Sequence, residues 1–165
     1  MLRKLYLVPV LALFVLPAVA HAQFEAGNWD LQLSGNGSAV QGGSFDTGEF
    51  SVQGQLGYLV TKEAEIGVRQ AYIWADGGSA SSGRTDAFLD YHFDLDRWQP
   101  YVGVAIGYQY GDNVRDSWIA TPEAGLKYFV NSTTYIDGGI GYAWNLNDGP
   151  SEGGYVFRLG IGFKW

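Results

Sequence analysis

The sequence predicts an all-β fold, an eight-stranded antiparallel up-and-down transmembrane β-barrel, and three observations predict it. First, large apolar residues alternate with polar, charged or very small ones in eight separate segments, the period of a pleated strand. Second, the connections between those segments alternate between short and long. Third, after residue 22 no apolar run approaches the ~20 residues of a membrane helix. The chain nevertheless carries 24 glycines, 16% aromatic residues and only 16% charged residues. A face this apolar needs a solvent other than water, and a closed barrel is the other structure that crosses a bilayer with its backbone satisfied.

The opening residues stand apart from this pattern. Arg3 and Lys4 precede an apolar stretch over residues 5–20, and Ala20-His21-Ala22 is a small-x-small triplet. This is the layout of a secretory signal peptide, expected to occupy residues 1–22 and to be cleaved after Ala22. Pro9, Pro17 and the Ala-His-Ala triplet favour cleavage over retention as an anchor. Residues 23–165 then form a single barrel domain. Without Arg3 and Lys4, 8 basic residues face 17 acidic ones, a net charge of −9. Such acidity argues against a nucleic-acid partner, which needs a basic surface. The absence of cysteine fits an exported chain that folds without disulfides.

The first segment, residues 24–35, sets Trp29, Leu31 and Leu33 against Asn28, Asp30, Gln32 and Ser34. The second, 49–60, groups Phe50, Val52, Leu56, Tyr58 and Val60. In the third, 64–75, Ile66, Val68, Tyr72 and Trp74 oppose Glu65, Gly67, Arg69 and Ala71. The fourth, 85–95, alternates Ala87, Leu89, Tyr91, Phe93 and Leu95 with Asp86, Phe88, Asp90, His92 and Asp94. The fifth, 99–110, aligns Val102, Val104, Ile106, Tyr108 and Tyr110 against Gly103, Ala105, Gly107 and Gln109. In the sixth, 117–130, Trp118, Ala120, Ala124, Leu126, Tyr128 and Val130 oppose Thr121, Glu123, Gly125 and Lys127. The seventh, 133–145, pairs Ile136, Ile140, Tyr142 and Trp144 against Asp137, Gly139, Gly141 and Ala143. The eighth, 155–165, places Tyr155, Phe157, Leu159, Ile161, Phe163 and Trp165 on one face. Arg158 and Lys164 lie on the other. A dozen residues per segment suits a tilted spanning strand.

Connections at 61–63, 96–98 and 131–132 are short; those at 36–48, 76–84, 111–116 and 146–153 are long and rich in Gly, Ser, Asn and Asp. In an up-and-down barrel the short turns are periplasmic and the long loops external. With those directions, Trp29, Tyr58, Tyr91, Phe93, Tyr128, Phe163 and Trp165 fall near one rim. Phe50, Tyr72, Trp74, Tyr108, Tyr110, Trp118, Tyr142, Trp144, Tyr155 and Phe157 fall near the other. Two aromatic girdles around an aliphatic band match the two interfaces and the core of a bilayer. A soluble lipocalin-like barrel turns its apolar side inward and would leave this band in water. Pro122, outward on the sixth segment, cannot donate to the ladder, so a bulge or broken pairing is expected within two residues of it.

The stretches RWQPYVGVAIGYQYGD, PEAGLKYFVNSTTYIDGGIGYAW and FRLGIGFKW resemble the small outer-membrane β-barrel family that includes OmpA-type and OmpX-type domains. The resemblance covers residues 23–165 and implies location in the outer membrane of a Gram-negative-type bacterium. It implies that the carboxyl-terminal residues Tyr155, Phe157, Leu159, Ile161, Phe163 and Trp165 are read by the barrel-assembly machinery during insertion. The partners then expected are that machinery, outer-membrane lipid and lipopolysaccharide, with the barrel itself a monomer.

An eight-stranded barrel is only wide enough for side chains to fill it. Charges facing inward must pair, because a stranded buried charge costs several kcal/mol. The expected result is a lumenal network centred on Arg69, Glu123 and Arg158, with Asp90, Lys127 and Asp137 nearby. The competing reading is a narrow gated path lined by Gly103, Ala105, Gly107, Gly139, Gly141 and Gly160; room for long charged side chains explains those glycines better. Catalysis is not expected. Nucleophilic chemistry needs a base beside the nucleophile, and His92 sits near a short turn, on the wrong side for lipopolysaccharide. Its context, DYHFDLD, lacks the His-x-Ser-Asn pattern of the deacylase family that the resemblance brings into view. Asp46, Glu49, Asp76, Asp112, Asp116, Asp148 and Glu152 are hard oxygen ligands, but their spacing is not that of a calcium loop. No cofactor is expected. Asn131-Ser132-Thr133 matches a glycosylation sequon but reads as a turn.

The expected function is therefore a structural or surface-interaction role for a barrel plugged by its own polar side chains. A narrow passive pore of the OmpW-like kind is the first alternative, although a charged lumen fits it poorly. An adhesin of OmpX/Ail type is the second, and the short loops support it weakly.

Overall fold

Alternation with a period of two resolves into eight strands: β1 Trp29–Val40, β2 Glu49–Leu59, β3 Ala64–Trp74, β4 Ser81–His92, β5 Trp98–Gly111, β6 Ser117–Phe129, β7 Thr134–Asn145 and β8 Gly153–Lys164. They come from a computed structural model that describes residues 24–40, 49–74, 81–111, 116–147 and 153–165. The expected signal peptide lies outside the described residues, as do loop residues Asp46, Asp76, Asp112, Asp148 and Glu152. Each strand pairs antiparallel with its sequence neighbour, and β1 closes on β8 from Asp30↔Lys164 to Val40↔Gly154. Closure leaves no edge strand, the condition for placing a sheet in lipid.

Three tight turns join the strands at one end. Asn131 Oδ1 accepts from the Thr133 and Thr134 amides at 2.9 and 2.8 Å, so the sequon residues form an Asx-type turn. Thr61 Oγ1 plays the same part, accepting from Glu63 and Ala64. Between β4 and β5, Leu95 and Trp98 exchange backbone hydrogen bonds of 3.1 and 3.2 Å around Asp96, whose φ is +62°.

The strands differ from the expected segments mainly at their ends. β1 starts at Trp29, not at residue 24. Gly27, at φ +93°, and the hydrogen bond from Asn28 N to Glu25 O turn the chain away from the wall, and Phe24 enters the barrel instead. At its other end β1 continues to Val40, because Gly37 pairs with Phe50 on one side and Phe157 on the other. β4 begins at Ser81 and β8 at Gly153, also through Gly- and Ser-rich stretches that local propensity marks as loop. Ladder pairing, two-sided at Gly37 and one-sided at Ser81 and Gly153, overrides that propensity. β4 ends at His92, and Leu95 keeps only an isolated bridge to Trp98.

The Pro122 expectation is met by broken pairing rather than a bulge. Against β7, Ala120 faces Trp144 and Glu123 faces Gly141, while Thr121 and Pro122 have no register partner. The register is the same on both sides of this gap, and the ladder to β5 runs through Val104↔Pro122 without interruption.

Polarity is inverted relative to a soluble protein. Leu33, Val68, Leu159 and their neighbours stand on the outer face, Leu159 at 68% exposure. Asp30, Glu65, Asp90 and Asp137 are at 0%. In water each half-exposed Leu or Ile would forgo about 1 kcal/mol of burial, so the outer face calls for an apolar surround. Rings pack at both rims: Trp29 on Tyr58 and Trp98 on Tyr128 at the short-turn end, Tyr142 on Tyr155 and Tyr108 on Trp118 at the other. Trp98 is a girdle residue that the alternation pattern did not assign.

Candidate functional site

The lumen is the one place where chemistry-bearing side chains converge among the described residues. Period-two geometry on closed strands aims every second side chain at a common axis. The charged ones assemble in tiers.

The middle tier is built around Glu123 on β6. Arg69 on β3 reaches it with Nη2 at 2.5 Å from Oε1 and Nη1 at 2.8 Å from Oε2, a two-pronged contact. The same guanidinium meets Asp90 Oδ2 at 3.2 Å, donates from Nε to Gln55 Oε1 at 2.7 Å, and lies 4.1 Å from the Phe88 ring centroid. Arg158 on β8 approaches Glu123 Oε2 at 3.4 Å, contacts Asp137 Oδ2 at 3.0 Å through Nε, and donates to the Tyr101 hydroxyl. Gln32 Nε2 also donates to Asp137 Oδ2, at 2.9 Å. This belt ties β1, β2, β3, β4, β5, β6, β7 and β8 together across the bore.

Nearer the short turns, Lys127 Nζ sits between Asp30 Oδ2 at 2.8 Å and Glu65 Oε2 at 2.9 Å. Glu65 Oε2 is also 2.9 Å from His92 Nε2, and the Tyr135 hydroxyl donates to Asp30 Oδ2 at 2.6 Å. Toward the long loops, Arg84 contacts Asp86 at 2.7 Å and Thr121 Oγ1 at 3.1 Å. Six carboxylates in these tiers (Asp30, Glu65, Asp86, Asp90, Glu123, Asp137) face the cations Arg69, Arg84, Lys127 and Arg158.

The structure thus joins five of the six residues expected in the network: Arg69, Asp90, Glu123, Asp137 and Arg158. Lys127, expected nearby, is buried in the same lumen with partners of its own. Its register partner is Asp137, but its ammonium binds Asp30 and Glu65 one tier below. A compact ammonium on a four-carbon stem reaches down the bore, where two carboxylates meet it. Asp94, read as inward, is instead exposed at the β4–β5 turn, accepting from Gln99 Nε2 at 3.2 Å.

Sequence reasoning missed Tyr101, Tyr135 and Phe24. The first two carried a usable signal, an inward aromatic directly opposite a glycine. Tyr101 pairs with Gly125 and Tyr135 with Gly162, and a Cβ at either glycine would collide with the ring. Phe88 covers Gly67 in the same way. Lumenal glycines therefore make room for rings here, while Gly57, Gly103 and Gly107 clear space for Glu65, Asp90 and Asp86.

His92 is committed to Glu65, and its Nδ1 has no partner among the described residues. Among the described residues no three carboxylate or histidine side chains are grouped to hold a metal. Asp116 is near the Tyr108 hydroxyl, at 3.5 Å. The carboxyl-terminal residues Tyr155, Phe157, Leu159, Ile161 and Phe163 stand on the outer face of β8 and Trp165 follows directly after it, each more than two-fifths exposed.

No family model and no curated protein sequence matches the chain. Solved structures match its fold. The N-terminal β-barrel domain of OprF from Pseudomonas aeruginosa aligns with a TM-score of 0.65 at 18% identity, over 82% of this chain and 97% of that one. The outer membrane protein OprG of the same organism aligns at 0.61 and 14%, over 88% and 99%. Neisserial surface protein A aligns at 0.57 and 17%, over 83% and 94%. At these identities the likeness is one of fold: a small eight-stranded outer-membrane-type β-barrel.

Proposed function

We propose that this protein is an integral β-barrel of the bacterial outer membrane, non-enzymatic, with a structural or surface-interaction role and a lumen closed by its own side chains. The observation that carries this reading is the belt of Arg69, Glu123 and Arg158, extended by Asp90 and Asp137. Its members come from five strands and leave their charges on one another rather than on a solute. Ion pairs held this way are costly to break singly. The outer apolar face and its two aromatic girdles suit a bilayer, and the barrel likeness to OprF, OprG and the Neisserial surface protein supports the outer membrane as its location. In this reading residues 1–22 are removed on export, the short turns face the periplasm, and lipopolysaccharide surrounds the other rim. The outward residues of β8 engage the assembly machinery, and the barrel works as a monomer.

A narrow pore is the competing reading, because small residues such as Gly103, Gly107 and Gly141 line part of this bore. Proteoliposome swelling separates the two. Vesicles holding the barrel should swell in small neutral solutes no faster than empty ones. Swelling whose rate rises as the solute gets smaller contradicts closure.

A further inference from the structure

Phe24 does not belong to the barrel wall, yet it is 2% exposed. The turn at residues 25–28 reverses the chain and sends this ring back into the short-turn mouth. Glu25 N donates to Asn28 Oδ1 at 2.9 Å, and Gly27, at φ +93°, donates to Leu59 O at 2.8 Å. The ring then rests on three others, with centroids 4.9 Å from His92, 5.2 Å from Phe129 and 6.0 Å from Tyr135. Leu59 completes the cluster, and Lys127 Nζ lies 4.9 Å from the Phe24 centroid. Every wall residue of this seat is fixed by strand pairing. Phe24 has no ladder partner among the described residues, and its backbone is set by the turn and by the bonds of Gly27 and Asn28 to Leu59.

We infer that the short-turn mouth is an aromatic-binding seat, formed by His92, Phe129, Tyr135, Leu59 and the Lys127 ammonium, with Phe24 as its intramolecular ligand. Residues 24–28 thus act as a detachable stopper. An apolar ring over an ammonium gains both burial and cation–π attraction, so the seat selects a ring over an aliphatic or charged side chain. Its second effect is on the ions above it. Phe24 separates the Lys127–Asp30–Glu65–His92 cluster from water at that end, and low polarity strengthens those pairs. With the stopper withdrawn, the seat is open to a small aromatic molecule. These contacts lie below the Arg69 belt, and the seat stands whether or not the belt conducts.

His92 reports on the stopper, since its ring packs against Phe24 and its Nδ1 has no partner among the described residues. The folded full-length protein in micelles would be treated with diethyl pyrocarbonate and modification of His92 followed by peptide mass spectrometry. Wild type should react slowly. Phe24→Ala should react at least tenfold faster, and saturating benzene should return that variant toward the wild-type rate while leaving wild type unchanged. Gly27→Ala keeps the ring but strains the turn, because φ +93° is unfavourable to a side chain. It should raise the rate severalfold, and it decides the matter if Phe24→Ala fails to fold. Folded variants that all react within twofold of wild type would overturn the inference. So would a wild-type His92 that reacts as fast as a free histidine, or a Phe24→Ala rate that benzene does not alter.

Discussion

Arg69→Ala tests the lumenal belt where its loss should hurt most. The side chain is 3% exposed and holds Glu123 through two nitrogens, Asp90 through one and Gln55 through a fourth bond. Truncation leaves Glu123 with Arg158 at 3.4 Å but removes the cation that contacts Asp90. Breaking a buried pair from one side costs roughly 3–5 kcal/mol, because the remaining charge stays buried. The neighbouring Val68 faces outward at 54% exposure, and Val68→Ala should cost roughly 1 kcal/mol from lost apolar contact. Equilibrium urea unfolding in lipid vesicles, followed by fluorescence of the tryptophans, measures both. Adding Asp90→Asn to Arg69→Ala should recover at least about 1 kcal/mol, since it neutralises the stranded carboxylate. If Arg69→Ala proves no worse than Val68→Ala, or Asp90→Asn makes it worse still, the belt is not a paired, desolvated network.

Three further predictions address other parts of the barrel. Gly162→Ala should cost about 1–3 kcal/mol because its methyl meets the Tyr135 ring, whereas Gly138→Ala, with open space around it, should be within about 1 kcal/mol of neutral; urea titration of both compares them. Pro122→Val restores an N–H beside the unpaired stretch of β7, so the amide of Tyr142, opposite it, should exchange more slowly with deuterium; unchanged exchange would mean that the gap has another cause. An epitope placed at residues 77–83 should be reached by antibody on intact cells and one at Lys62 should not, with the reverse result inverting the orientation.

How far the fold could be read beforehand depended on which physical signal was strong. Alternation is forced wherever one face meets lipid and the other meets a polar bore, so the number, order and facing of the strands were legible. Strand ends were not, because Gly37, Ser81 and Gly153 have no strand preference and are held by partners elsewhere in the chain, Gly37 by Phe50 and Phe157, Ser81 by Trp74 and Gly153 by Trp144. The inward position of Arg69, Glu123 and Arg158 followed from parity. Their partners depended on side-chain reach, which parity does not encode, and Lys127 shows the difference by bypassing Asp137 for Asp30 and Glu65. Phe24 was read as the start of a strand, although its parity is that of Asp30 and Gln32 and not of Trp29 and Leu31. Only the backbone reversal at Gly27 reveals that it leaves the wall.

Single-channel recording across planar bilayers tests closure of the lumen most directly. Wild-type barrels, inserted and verified as folded, should show no steady conductance steps, while Arg69→Ala should show small ones, since it removes the side chain that joins β3 to Glu123 and Asp90 across the bore. Steady wild-type steps, with Arg69→Ala changing only the preference between cations and anions, would contradict a plugged barrel and establish a narrow pore in its place.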